Sequence, residues 1–311
     1  VTVTFAGTTS VRDAVAAATA LLGEAGVPSP RVDAELLCAH AAGTDRSAVT
    51  TAGLLGRSLA DLGPGVADEL ARLVAARGER RPLQHLTGRA PFRHLELEVG
   101  PGVFVPRPET EDVAQVAIDA ARAAVEARGS AVVVDLCTGS GAIALAVATE
   151  VPGAQVHAVE LDADAHAWAA RNVARVAAAT GAVVTLVRGD ARTALGHLDG
   201  SVDVVVSNPP YVPSDAVPRD PEVARHDPAV ALYGLGADGL EVPRGVTAAA
   251  VRLLRPGGLY VMEHSEVQDS AARSMAEAAG LVDARTIPDL TGRPRAVVAH
   301  RPPADVGGSE S

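Results

Sequence analysis

The chain contains no lysine, so all 27 of its Lys+Arg cations are arginine. Against 38 Asp+Glu they leave a formal net charge of −11. A protein that grips duplex DNA along many phosphates needs a basic face, and this balance argues against direct DNA binding. Cysteine is nearly absent. The two present, Cys38 and Cys137, lie far apart without metal-ligand spacing, and the nine histidines are scattered singly. No metal is expected. Cys38 sits in an apolar helical stretch and reads as core filler. No apolar run reaches the roughly 18 residues that span a bilayer, and the start has no basic region followed by an apolar run. No membrane contact is expected, and the cytoplasm is the expected location.

What is present suits a large core. At 311 residues and 48% hydrophobic content, the chain is expected to divide once. Ser10 reads as an N-cap ahead of an apolar stripe through Leu22, and Ser29-Pro30 starts a second helix. Further helices are expected over Ser47–Leu55 and Val66–Ala76. Residues 8–80 thus predict a small helical domain without strands. Residues 81–105 change character: Phe92, Leu95, Leu97 and Val99 alternate with polar residues. Gly100-Pro101-Gly102 then turns the chain into Val103-Phe104-Val105, a predicted β-hairpin linker. Glu109–Arg128 reads as a helix opening a second domain over 106–301. Within it, Leu259–Met262 reads as a strand, and Leu281–Ile287 with Ala296–His300 as a terminal pair. Residues 302–311 read as a disordered tail.

The sharpest signal is Asn208-Pro209-Pro210-Tyr211. The β-branched run Val202–Ser207 reads as a buried strand that stops at two prolines unable to continue a ladder. An Asn amide is left at the carboxyl end of that strand, where open α/β sheets bind ligands. It carries an acceptor oxygen and two donor hydrogens, and Pro209 leaves a carbonyl beside it. Such a cluster suits a planar group carrying an NH2. The plain alternative is a strand-ending turn that happens to contain asparagine.

A second signal lies upstream. Ala131–Val134 reads as a strand running into Asp135-Leu136-Cys137-Thr138-Gly139-Ser140-Gly141 and then a helix. Glycines let backbone approach a ligand, and a helix amino end favours negative groups. Alone, Gly139-x-Gly141-x-x-Ala144 also fits a dinucleotide fingerprint. A second strand, Gln155–Val159, ends in Glu160, about 20 residues beyond the glycines, where an acid can accept both ribose hydroxyls. A third, Val183–Val187, ends near Asp190-Ala191.

Acid, acid, then Asn-Pro-Pro-Tyr at successive strand ends resembles the S-adenosylmethionine (SAM)-dependent methyltransferase fold. The likeness narrows further. Pro82–Gly88, Gly102–Glu111 (Gly-Val-Phe-Val-Pro-Arg-Pro-Glu-Thr-Glu), Asp135–Gly141, Asn208–Tyr211 and Asp289–Arg295 run in the order of motifs in the bacterial protein-(glutamine-N5) methyltransferases, the HemK/PrmC family. The resemblance covers nearly the whole chain. It departs at His85 where Tyr is usual, at Glu160 where Asp is common, and at Ala191 where many members place an aromatic.

The resemblance implies an α/β fold: a Rossmann-like, seven-stranded methyltransferase sheet behind a small N-terminal helical domain that recognises substrate. It implies SAM as cofactor, held by Cys137, Thr138, Gly139, Ser140, Gly141, Glu160, Asp190, Ala191 and Asn208. It implies class I peptide chain release factors as partners, methylated on the glutamine of their Gly-Gly-Gln loop. Asn208, Pro209, Pro210 and Tyr211 would be catalytic and substrate-binding, with Arg107 and Glu109 bordering the substrate. Two rival readings stay open here: an adenine-N6 DNA methyltransferase, and a non-catalytic SAM-binding protein.

Overall fold

The computed structural model describes residues 3–304. Contacts divide the chain into two units: residues through Arg89 together with Arg219–His226, and Ala90–Pro218 together with the chain from Asp227 on.

The first unit holds α1 (Val11–Glu24), α2 (Pro30–Ala41), α3 (Arg46–Leu54), α4 (Val66–Gly78) and the short α5 (Leu83–Thr87). Ser10 caps α1: its Oγ accepts from the Asp13 N–H at 3.1 Å, satisfying an amide that has no partner inside the helix. The α1 stripe Val11, Ala14, Ala18 and Leu22 is buried against Leu37 and Cys38 of α2 and Leu70 and Leu73 of α4. Burial pushes the Cys38 thiol up to about 11, consistent with its expected role as core filler.

A buried ion-pair cluster ties the late segment into this unit. Arg77 Nε reaches Asp33 Oδ2 at 2.7 Å and its Nη1 reaches Glu222 Oε1 at 2.7 Å. Arg80 Nη2 meets Glu222 Oε2 at 2.5 Å. Burial raises the cost of charging Glu222, but the two guanidiniums more than reverse it and hold its carboxyl well below the usual range.

The second unit opens within a hairpin, β1 (Arg89–Phe92, from Ala90 on in this unit) and β2 (Leu95–Glu98), and continues through α6 (Thr110–Arg128), β3 (Ala131–Leu136), α7 (Ala142–Glu150), β4 (Ala154–Glu160), α8 (Ala163–Thr180), β5 (Val184–Arg188) and β6 (Val202–Ser207). After α9 (Pro221–His226), which belongs to the first unit, come α10 (Ala229–Leu232), α11 (Glu241–Leu253), β7 (Leu254–Glu263), α12 (Asp269–Ala278), β8 (Val282–Pro288) and β9 (Pro294–His300). The hairpin is shorter than the sequence suggests. Val103–Val105 forms no strand, because Val103 and Val105 instead bury with Ala165 and Trp168 of α8. Gly100 permits that packing, since a Cβ there would lie 2.5 Å from the Trp168 ring.

Seven strands form one sheet in the order β5-β4-β3-β6-β7-β9-β8. β3 pairs in parallel with β4 and β6, β4 with β5 and β6 with β7, whereas β9 runs antiparallel to both β7 and β8. Helices cover both faces, so the middle of β6, Val204–Val206, is apolar on both sides. Its Val204 and Val206 pack with Ile118 of α6 and Leu145 of α7, and its Val205 with Val246 of α11. Because β3 is flanked by β4 on one side and β6 on the other, the strand order reverses there. Such a switch point opens a crevice at the carboxyl ends of the strands. None of the described helices is long and apolar enough to cross a membrane.

Candidate active site

The sheet delivers Asp135, Glu160, Asn208 and Glu263 to one edge, each at or just beyond the carboxyl end of β3, β4, β6 or β7. Register makes them neighbours: Leu136 pairs Val159 and Ser207, and Ser207 pairs Met262.

Between β3 and α7 the backbone turns through positive φ at Cys137 (62°), Gly139 (58°) and Gly141 (86°). Two acids hold that turn. Glu160 Oε2 accepts from Gly139 N–H at 2.8 Å and its Oε1 from Asp162 N–H at 2.9 Å. Asp135 Oδ2 accepts from the Thr138 hydroxyl at 2.6 Å and from Ala144 N–H at 3.1 Å. Ser140 is buried, with its carbonyl accepting from Asn172 Nδ2 at 3.0 Å. Above Gly139 there is space, since a Cβ there would meet nothing within 4 Å.

The electrostatics of the turn are acidic. Burial raises the Asp135 carboxyl to about 7 against the opposing bonds from Thr138 and Ala144, and burial also raises Glu160. Burial and then Glu160 and Asp135 push the Cys137 thiol far up, which disfavours the thiolate. Beyond β5, Asp190 is forked by Arg192 at 2.6 Å, which holds its carboxyl below the ordinary range, and Ala191 is buried. Crowded carboxylates disfavour a pyrophosphate and favour a cation with hydroxyl donors. The dinucleotide option left open by the glycine pattern is therefore a poor fit.

Asn208 stands at the head of a polar chain running into the protein. Its Nδ2 donates to Thr110 Oγ1 at 3.3 Å, and the Thr110 hydroxyl donates to Glu263 Oε2 at 2.8 Å. The Tyr211 hydroxyl donates to the other oxygen, Oε1, at 3.3 Å. Glu263 is only 2% exposed, and burial raises it to about 7 although Thr110, Arg295 and Tyr211 favour its charged form. Pro209 is buried and Pro210 partly so.

The backbone after Pro210 is held as firmly. Gln268 Nε2 donates to the carbonyls of Tyr211 at 3.0 Å and Asp238 at 2.9 Å. Val212 N–H donates to Leu232 O at 2.8 Å, and Gly234 N–H to Val212 O at 3.0 Å. A Cβ on Gly234 would lie 2.7 Å from the Pro210 carbonyl oxygen.

Thr110, Glu263, Gln268 and Gly234 were not legible as site residues. For Glu263 a signal existed: it is a lone acid ending an apolar strand, as Glu160 is. In the Pro106–Glu111 segment, attention falls in the sequence on Arg107 and Glu109. In the structure Arg107 pairs with Asp227 at 2.8 Å and stacks over Phe104, and Glu109 pairs with Arg293 at 3.5 Å. The residue of that segment that touches Asn208 is Thr110.

Comparison with known proteins follows the same division. A family model described as the PrmC N-terminal domain matches residues 13–88, and one described as the methyltransferase small domain matches residues 101–221. A release factor glutamine methyltransferase of Streptomyces coelicolor is 51% identical over 292 residues, covering 92% of this chain and 96% of that one. The chain belongs to the release factor glutamine methyltransferase family. Two further release factor glutamine methyltransferases agree: that of Bifidobacterium longum is 43% identical over 93% of this chain and 99% of its own, and that of Mycolicibacterium smegmatis 46% identical over 94% and 98%. Within this family member, the second model match stops at residue 221, short of Glu263 and Gln268.

Proposed function

We propose that this chain transfers the methyl group of SAM to the side-chain amide nitrogen of the glutamine in the Gly-Gly-Gln loop of peptide chain release factors. The observation that carries the reading is Asn208, an amide at a strand end beside the acidic glycine turn, with its NH2 turned to Thr110. That leaves Oδ1 as an acceptor for a substrate NH2.

The residues fit the cofactor. Among the described residues, Asp135 Oδ1 is buried with no protein partner, an acceptor suited to a cationic amino group. Space above Gly139 admits close backbone approach, with Cys137, Thr138, Ser140 and Gly141 shaping the turn. Glu160 keeps lone pairs for ribose hydroxyls, and Asp190 with Ala191 would border the adenine. When bound, SAM supplies an electrophilic methyl on a sulfonium.

The chain's own work is positioning. A glutamine amide nitrogen is a poor nucleophile because its lone pair is delocalised into the carbonyl. Asn208 Oδ1 and the Pro209 carbonyl each accept one amide hydrogen, which favours a pyramidal nitrogen and the positive charge that grows on it. Holding that nitrogen in line, with Tyr211 and Pro210 against the amide plane, converts an encounter into an intramolecular step. No general base is required, because the protonated product amide is strongly acidic and sheds its proton after transfer. The helical unit is assigned to recognition of the release factor, and the cytoplasm, where translation ends, is the setting.

The test is incubation of the purified chain with SAM and either a release factor or DNA. Mass spectrometry of the Gly-Gly-Gln peptide should find a methylated glutamine. Methylated adenine with an unmodified glutamine would reverse the substrate assignment. Bound SAM with no transfer to either would leave a SAM-binding protein.

A further inference from the structure

We propose that Glu263, acting through Thr110, fixes the side-chain amide of Asn208 with its oxygen toward the substrate. Both are positioning residues, and the inference rests on the reading that Asn208 holds the substrate amide.

The argument is one of donors and acceptors. The two ends of an asparagine amide are nearly the same size, so packing alone hardly distinguishes Oδ1 from Nδ2; the hydrogen-bond network must decide. An ionised carboxylate can only accept. Thr110 has a single hydroxyl proton, and with Glu263 Oε2 at 2.8 Å that proton is committed to the carboxylate. Thr110 Oγ1 then shows Asn208 only lone pairs. The group of Asn208 facing it at 3.3 Å must be the NH2, and Oδ1 points the other way. The same carboxylate takes the Tyr211 hydroxyl proton on Oε1. One buried charge thus orients both polar side chains of the Asn-Pro-Pro-Tyr loop.

The polarity is reversible. A protonated Glu263 would carry a proton of its own, and Thr110 Oγ1 is an acceptor within reach. Thr110 would then turn its proton toward Asn208, which favours Oδ1 facing Thr110 and the NH2 facing the substrate. Two NH2 groups would oppose each other, and the acceptor would be lost. The groups facing Glu263 are Arg295 on β9, which favours the charged form, Glu109 ahead of α6, which opposes it, and the Tyr211 hydroxyl. His264, the next residue along the chain, is held toward its neutral form by burial. With burial raising Glu263 to about 7, methyl transfer should weaken on the acid side of neutrality.

The test uses the full chain with SAM and a whole release factor, measuring kcat, KM for the release factor, Kd for SAM and the pH profile of kcat. Thr110→Val removes the proton that reads the carboxylate while keeping the side-chain shape. Its kcat should fall by about 10–100-fold, consistent with loss of preorganisation at one polar partner, with KM and Kd unchanged. Thr110→Ser, which keeps the hydroxyl, should restore most of the rate. Glu263→Gln should lower kcat and abolish the acid limb of the profile seen in the parent chain. If Glu263→Gln does not fold, the Thr110 pair still decides. An active parent chain with unchanged kcat in Thr110→Val, or equal rates for Thr110→Val and Thr110→Ser, would overturn the inference alone. A parent chain that leaves the release factor unmethylated would remove the functional reading and this inference with it.

Discussion

Gly239 packs directly against the backbone of Tyr211: a Cβ on Gly239 would collide with the Tyr211 carbonyl oxygen and lie 2.8 Å from Pro213 N. Gly239 also holds a φ of 71°. Gly239→Ala should therefore displace the loop that carries Asn208 and lower methyl transfer sharply. Gly292→Ala is the control, since Gly292 has a φ of 83° but nothing within 4 Å of an added Cβ. It should cost only the backbone strain of about 1–2 kcal/mol and leave kcat intact. Thermal melts beside initial rates separate the two.

Asn208→Ala should leave the fold and SAM binding in place, because the side chain is only partly buried at a strand end. Transfer should fall by about 10²–10³, as for loss of one preorganised partner in the transition state. Asn208→Asp should do no better. Its second oxygen would replace the NH2 that bonds Thr110, whose only proton is directed to Glu263. Partial activity in Asn208→Asp, read by timed mass spectrometry of the Gly-Gly-Gln peptide, would mean that the Thr110 contact is dispensable.

Glu160→Ala should weaken SAM binding by about 1.5–3 kcal/mol, the range for hydrogen bonds to a charged group. Part of that loss comes from releasing the Gly139 N–H. Asp162 is the useful comparison. Its Oδ1 accepts from Asp164 and Ala165 N–H groups at the start of α8, so Asp162→Ala should cost about 1 kcal/mol of stability and leave SAM affinity alone. Calorimetry reporting the reverse pattern would move the ribose contact to Asp162.

Within the helical unit, Glu222→Ala strips Arg77 of one of its two buried carboxylate partners. Breaking a buried pair in this way costs about 3–5 kcal/mol. Because the folded state holds the Glu222 carboxyl below its ordinary value of 4.5, its stabilisation is present above that value and is lost as pH falls. The parent chain should lose stability in acid more steeply than Glu222→Ala, which denaturant titrations at several pH values would show.

Glu263 carries the opposite sign. Its folded value is raised from 4.5 to about 7, so its contribution to stability is fully present below the unfolded value and is lost as pH rises through neutrality. Glu263→Gln should flatten that part of the stability profile. Fold and chemistry pull against each other here, since the charged form that orients Asn208 is the form the buried site disfavours.

Much of this was legible because its causes are local. A run rich in β-branched residues favours a strand, two prolines end it, and glycines allow a turn of positive φ; Val202–Tyr211 and Asp135–Gly141 follow from such rules. Ser10 capping α1 and the pairing of β8 with β9 are of the same kind. The Val103–Val105 segment misled because its valines are buried by Trp168, which lies far along the chain in α8. The inner half of the site was hidden for the same reason. Thr110 lies 98 residues before Asn208, and Glu263 lies 52 residues after Tyr211. Only the pairing of β6 with β7, which sets Ser207 against Met262, draws Glu263 up to the loop. Composition and spacing by themselves determined the strands, the glycine turn and the amide at the strand end. Which end of that amide meets Thr110 was decided by tertiary structure, because Asn208 offers both a donor and an acceptor and the Thr110 proton is already taken by Glu263.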